Sequence, residues 1–240
     1  MTSNQFFVRK LPPAAGRFFL EGEEHHHLAR VARIKPGEKV WLTDGTGCRL
    51  LAEVETIEKD RTWLLPLEYR EEKIKTRVVL GTGITKPATF DLIIQKATEL
   101  GVMEIQPLLT VNSQPLPPER LERRIERWQR VAREALKQSK GAVLPEIFPP
   151  RSLSEVLKCP VSARKFYLTE DSPVYFRDIL TGERPDRVCL MVGPEGGWAE
   201  EEKSMMNEAG FQGLSLGSRI LRTETAVISA LSLISHFWVW

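Results

Sequence analysis

Two stretches in the last quarter of the chain bring together residues that could hold a ligand and act on its charge. In the first, Arg187-Val188-Cys189-Leu190-Met191-Val192 runs directly into Gly193-Pro194-Glu195-Gly196-Gly197-Trp198. The nearly continuous apolar run reads as a buried central strand. The three glycines after it would let backbone N–H and C=O groups approach a ligand closely. The second stretch is Ser215-Leu216-Gly217-Ser218-Arg219-Ile220-Leu221-Arg222-Thr223-Glu224-Thr225-Ala226. It again puts glycine at a strand end, then sets four polar residues at a helix entry. Taken singly, each stretch is also explained as an ordinary turn. Thr223 or Thr225 could cap the helix, Glu224 could favour its positive end, and Arg222 could be a surface ion pair. That reading leaves apolar Ile220 and Leu221 inside the loop unexplained. Neither stretch has the spacing of a Rossmann dinucleotide motif or a P-loop.

The elements around these residues alternate between strand and helix from Thr76 onward. Residues 78–80 predict a buried strand, 90–100 a helix closed by Gly101, and 105–109 a strand. Pro107 there favours a sheet edge or a strand start. The longest helix is expected from Pro118 to about Gly141, with Leu121, Ile125, Trp128, Ala132, Ala135 and Leu136 as its apolar stripe. Further strands are expected at 164–168, 187–192 and 211–216, and helices at 200–209 and 223–238. This order predicts an α/β fold with a mostly parallel sheet, whose ligands bind beyond the carboxyl ends of the strands.

Before Thr76 the pattern is different. Short β-prone runs at 5–8, 17–20, 39–43, 48–57 and 62–67, with Gly and Asp turns and one helix at 23–34, suggest a small barrel. The charged stretch Tyr69-Arg70-Glu71-Glu72-Lys73-Ile74-Lys75 reads as a linker or exposed edge. The expected domains are therefore 1–72, a barrel, and 73–240, the α/β part. Residues His25-His26-His27 are consecutive and cannot all face one ion from regular structure, so no metal site is expected.

Bulk composition permits this picture. The 240 residues are 42% hydrophobic and 28% charged, ordinary for a globular protein, with a net charge of +2. No run of eighteen apolar residues suggests a membrane span, and the N-terminus lacks the layout of a secretory signal. Cys48, Cys159 and Cys189 are too scattered for a disulfide framework or a zinc site, so a cytoplasmic location is expected. Arginines are concentrated between 119 and 140, where Arg120, Arg123, Arg124, Arg127, Arg130 and Arg133 outnumber four glutamates. A solvated face with i, i+4 pairs explains part of this, and contact with nucleic-acid phosphates explains the excess.

Read as a pair, the two glycine stretches resemble the signature of the SPOUT methyltransferases, and most closely the ribosomal RNA small subunit methyltransferase E family. Met191-Val192-Gly193-Pro194-Glu195-Gly196-Gly197-Trp198 and every position from Ser215 to Ala226 match, as does Gln95-Lys96-Ala97-Thr98-Glu99-Leu100-Gly101-Val102. The match extends through Arg127-Trp128-Gln129 and back to Arg30-Val31-Ala32-Arg33 and Lys35-Pro36-Gly37-Glu38, nearly the whole chain. Trp198 stands where the family usually has Phe, and Ala199 where a helix-capping Ser is usual. That second change weakens a cap by about 1 kcal/mol.

The resemblance implies a trefoil-knotted α/β methyltransferase domain behind a PUA-like N-terminal barrel. It implies S-adenosylmethionine as cofactor, no metal, and transfer of a methyl group to N3 of a uridine in 16S ribosomal RNA of the small subunit. Cofactor contacts are expected from Leu168, Thr169, Val192, Gly193, Gly196, Gly197, Leu216, Gly217, Ile220, Leu221, Arg222, Thr225 and Ala226, with Ile220 and Leu221 enclosing the adenine. Arg222 is the expected charge stabiliser, and Glu195 or Glu224 the proton acceptor. RNA contacts are expected from Arg9, Arg30, Arg33, Arg123, Arg127 and Arg130, and a homodimer is expected because members of the class pair through the knotted region. The competing readings are a related enzyme acting on another RNA, such as transfer RNA, and a non-catalytic RNA-binding assembly protein.

Overall fold

The computed structural model describes residues 4–158, 162–180 and 183–239. Of the residues singled out above, Cys159 lies outside these. The chain forms two compact units. One comprises the residues up to Lys73 with Arg133–Leu144, and the other Ile74–Ala132 with the chain from Pro145 onward.

The first unit contains β1 (Gln5–Phe7), β2 (Phe18–Glu21), α1 (Gly22–His26), β3 (Lys39–Thr43), β4 (Cys48–Ile57) and β5 (Arg61–Glu71). Its sheet has the order β1-β3-β4-β5-β2, antiparallel except where β1 lies along β3. Leu50, Ala52 and Val54 of β4 point inward at the period of two that a half-buried strand requires, joining Phe6, Leu28, Leu42 and Leu64 in the core. Register shifts between Leu51 and Ala52 and between Val54 and Thr56 bend the long β4–β5 pair.

Residues 69–71 are an exposed edge rather than a linker, because β5 stays paired to Glu71, opposite Cys48. One expectation needs correction in this unit. The helix expected over 23–34 is only the short α1, followed by a π-helical turn (His27–Val31) in which the Ala32 N–H returns to the His27 carbonyl. The wider turn accompanies inward placement of both His25, 2.8 Å from Thr62 Oγ1, and Leu28. Arg33 then takes a left-handed conformation, with φ +53°.

The second unit is a seven-stranded, wholly parallel sheet. It holds β6 (Arg77–Gly83), α2 (Pro87–Glu99), β7 (Glu104–Leu109), α3 (Pro118–Ser139, whose last turns belong to the first unit), β8 (Glu146–Ile147), β9 (Arg151–Ser152) and α4 (Leu153–Leu157). Then come β10 (Arg164–Leu168), α5 (Phe176–Ile179), β11 (Arg187–Val192), α6 (Glu200–Glu208), β12 (Gln212–Leu214) and α7 (Thr223–Ile234). The order is β12-β10-β11-β6-β7-β8, with β9 also on β7. Pro107 is therefore neither at an edge nor at a strand start. It sits in mid-strand, where the neighbour on one side is interrupted: β8 pairs at Glu104 and Ile105, and β9 at Leu108 and Leu109. The gap suits a residue without an N–H to donate.

Aromatic packing fixes α2 against the sheet side of α3, with the Phe90 and Trp128 rings 4.7 Å apart and both side chains fully buried. The registers Arg164↔Val188 and Phe166↔Gln212 bring the carboxyl ends of β10, β11 and β12 level, at Leu168, Val192 and Leu214. Close approach decides two glycines of β6. A Cβ on Gly81 would lie 2.1 Å from Met191 Sδ, and one on Gly83 would lie 2.7 Å from the Pro194 backbone nitrogen. Bare backbone on β6 thus lets the loop after β11 cross close above it.

Candidate cofactor and catalytic site

A cavity of about 670 Å³ opens at the level ends of β10, β11 and β12. Its walls come from the loop after β10, the loop after β11, and the loop between β12 and α7. Leu168, Thr169 and Glu170 supply the first wall. Val192, Gly193, Glu195, Gly196 and Gly197 supply the second, and Leu216, Gly217, Ile220, Leu221 and Arg222 the third, with Glu224 and Ala226 from the first turn of α7. The structure therefore brings together residues that lie as far apart as 168 and 226 in the chain.

Thr225 is the exception among the expected cofactor residues. Its side chain is exposed and does not line the cavity, because each helical residue turns by about 100° and carries it outward from the start of α7. Nor does either threonine cap the helix. The N-cap is Arg222, with extended backbone and no side-chain capping bond. The first N–H groups of α7 thus begin at the cavity wall without a protein cap.

The second loop is fixed by four side chains, two of its own and one each from the loop after β7 and from α6. The Trp198 indole N–H donates to the Leu168 carbonyl at 3.0 Å, joining the first loop to the second. A phenylalanine could not form this bond. The Asn112 side-chain amide, from the loop after β7, donates to the carbonyls of Gly196 and Gly197 at 3.0 and 3.2 Å. Glu195 Oε1 accepts the Lys86 N–H at 3.1 Å, at the start of α2. Glu202 Oε2 accepts the Ala199 N–H at 2.9 Å, so α6 keeps half of a capping box although Ala199 has no hydroxyl. Gly197 has φ +69°, which a side chain would disfavour.

The wall is amphipathic. Leu168, Val192, Leu216, Leu221 and Ala226 offer apolar surface, and among the described residues three basic side chains (Lys86, Arg219, Arg222) face three acidic ones (Glu170, Glu195, Glu224). Thr169 Oγ1 is buried at the wall with no hydrogen-bond partner, a polar atom left for a ligand to satisfy. Ile220 lines the cavity yet is 86% exposed, so it borders the opening. No described residue forms a hydrogen bond or ion pair with the side chains of Arg222 or Glu224. Cys189, behind in β11, is no nucleophile: burial pushes its thiol up to about 12, against the weaker opposing pull of Arg187 and Lys165.

Lys86, Thr89, Trp198, Arg219 and Thr223 also line the cavity, although the sequence reading did not assign them to it. The signal for the first two was Lys86-Pro87 shortly after a strand, since proline at the first helical position marks a helix start. The expected RNA-contacting residues lie elsewhere. Arg9, Arg30 and Arg33 are exposed on the first unit, and Arg123, Arg127 and Arg130 on α3. Of these, Arg127 is held by Asp91 at 2.6 Å.

A family model described as RNA methyltransferase domain matches residues 71–235, and one described as RNA methyltransferase PUA domain matches residues 20–66. The ribosomal RNA small subunit methyltransferase E of Aquifex aeolicus is 31% identical over 226 residues, 90% of this chain and 93% of the relative. That of Bacillus subtilis is 29% identical over 232 residues, 92% and 91% of the two chains. Among solved structures, the Neisseria gonorrhoeae ribosomal RNA small subunit methyltransferase E bound to S-adenosyl methionine superposes with a TM-score of 0.89 at 30% identity, covering 99% of this chain and 98% of that one. A methyltransferase from Legionella pneumophila in complex with the same cofactor gives 0.87 at 28% identity, covering 98% of each chain.

Proposed function

The chain belongs to the ribosomal RNA small subunit methyltransferase E family, and on that premise we propose that it transfers the methyl group of S-adenosylmethionine to N3 of a uridine in 16S ribosomal RNA. The observation that carries the reading is the three-loop cavity itself. Its volume lies in the range of about 300–1,000 Å³ usual for small-molecule sites. It combines apolar walls, both signs of charge and an unsatisfied Thr169 hydroxyl. These suit a ligand with an aromatic base, a sugar and a charged amino-acid tail. Thr169, Gly193, Gly197 and Leu216 would hold it, with Leu221 against the base and Ile220 at the rim. The sheet order and the family support the trefoil-knotted topology.

When bound, S-adenosylmethionine supplies an electrophilic methyl group on a sulfonium centre. The protein's own task is to prepare the nucleophile. N3 of uracil carries a proton, so the site must favour the anion and hold it in line. Arg222 is positioned at the cavity wall with no competing partner, which suits a cation stabilising negative charge on O2 or O4. Glu224 is the better proton acceptor of the two glutamates. Glu195 Oε1 is already engaged by the Lys86 N–H, whereas no described residue forms a hydrogen bond with the Glu224 side chain.

Phosphate contacts are read onto Arg9, Arg30 and Arg33 of the PUA-like unit and onto Arg123 and Arg130 of α3. Filter binding of an Arg30→Ala/Arg33→Ala variant should show weaker RNA binding and a shallower salt dependence. An unchanged salt slope would remove these two residues from the interface. We also read the protein as a cytoplasmic homodimer. Ile220 and Phe237 leave apolar surface exposed on the second unit, and light scattering at twice the chain mass would agree. A monomer mass would contradict it. The activity itself is tested with purified protein, labelled S-adenosylmethionine, and small subunits and transfer RNA offered separately, both from a strain lacking the gene. Label in 3-methyluridine is expected, and label in transfer RNA alone would replace this reading.

A further inference from the structure

The peptide segment from Gly196 to Ala199 is tied at each residue. Asn112 takes the carbonyls of Gly196 and Gly197, Trp198 reaches the Leu168 carbonyl, and the Ala199 N–H is taken by Glu202. Glu202 is only 3% exposed, and its other oxygen accepts the N–H of Val111 at 3.0 Å, one residue before Asn112. The bonds thus close a ring: the loop after β7 holds the glycine loop, the glycine loop leads into α6, and α6 holds the loop after β7. None of the residues on the β7 side lines the cavity. Asn112 is also packed against Gly196, where an added Cβ would lie 2.8 Å from the Asn112 Cβ. The glycine at 196 is therefore required by Asn112 on one side, whatever the ligand needs on the other.

We propose that Asn112 is a positioning residue for the cofactor, making the loop after β7 a fourth element of the site. Two successive glycines sample many backbone conformations, and a loop that must be ordered on binding weakens affinity. The Asn112 amide selects one conformation before the ligand arrives by engaging two consecutive carbonyls. It has no contact with the reacting atoms, so its loss acts on binding and leaves the chemical step largely intact. Asn112 is exposed, so its replacement leaves no buried polar group behind on its own side chain.

This inference rests on the reading that the cavity binds S-adenosylmethionine. The test is calorimetry with S-adenosylmethionine on the full-length wild type, Asn112→Ala and Asn112→Asp, with steady-state kinetics beside it. Asn112→Ala should raise Kd and KM for S-adenosylmethionine about five- to ten-fold, and leave kcat within about two-fold. Asn112→Asp keeps the shape but faces two carbonyl oxygens with a carboxylate. Its affinity relative to wild type should be lower still at about pH 8 and recover only as the pH falls toward about 4, where protonation restores a donor. A merely structural defect would show no such recovery. If wild type binds and both variants bind equally well, or if kcat falls with KM unchanged, the inference is overturned. If wild type itself does not bind, the functional reading fails and this inference fails with it.

Discussion

Arg222 reaches the cavity from the residue before α7, where its backbone is extended and no described side chain pairs with it. Removing a cation that acts only on developing charge should spare binding. Arg222→Ala is expected to bind S-adenosylmethionine as wild type does and to lose about 100- to 1,000-fold in kcat. Retained turnover would show that another group stabilises the charge. Glu224→Gln should slow the reaction more than Glu195→Gln, and the reverse order would return the proton to Glu195. At this scale the sequence singled out Arg222, Glu224 and the loop glycines by residue type, and the fold sets them all on the cavity wall. It was less informative where a bond joins distant segments. That Trp198 is tied to Leu168, or Glu195 to Lys86, depends on how three loops and a helix start are brought together. The Thr225 side chain does not line the cavity, because adjacency in a motif is not a shared direction on a helix.

The parallel strands were legible from their apolar runs, and β11 emerges within its expected bounds. Strand order was not, since β12 returns to β10 and β11 lies between β10 and β6. Pairing of that kind is decided by tertiary packing and leaves no periodicity in the chain. The interrupted neighbour beside Pro107 is a case in point: the residue is permitted in mid-strand only because β8 stops and β9 starts around it. Close crossing of β6 yields a further prediction. In Gly83→Ala the new Cβ meets the Pro194 backbone at 2.7 Å, whereas in Gly81→Ala it meets the flexible tip of Met191. Gly83→Ala should therefore cost about 2 kcal/mol or more and weaken cofactor binding through the displaced loop. Thermal melts showing Gly81→Ala as the more damaging change would contradict this account of the crossing.

At the level of the whole molecule, chain order and compact units do not coincide. Gln5 Nε2 donates to the carbonyls of Leu136 and Gly141, Arg49 to that of Lys140, and the Gly47 N–H to that of Ala142, all within the first unit. The Ala142 N–H in turn donates to Glu72. A fragment of residues 1–73 lacks these partners, so its buried Gln5 would lose the carbonyls it now serves. It should melt without a cooperative transition, and a sharp transition at the full chain's temperature would show that 133–144 is dispensable. Composition shifts mark the change near residue 73, but they give no hint of this returning segment, whose polar ends are ordinary helix and turn residues. The family, the three-loop cavity and the proposed uridine-N3 chemistry converge on one product. The most direct test is mass spectrometry of 16S ribosomal RNA from a strain lacking the gene. The account predicts that 3-methyluridine disappears from one position and returns when the wild-type gene, but not Arg222→Ala, is restored. An unchanged level of 3-methyluridine in the deletion strain would contradict it.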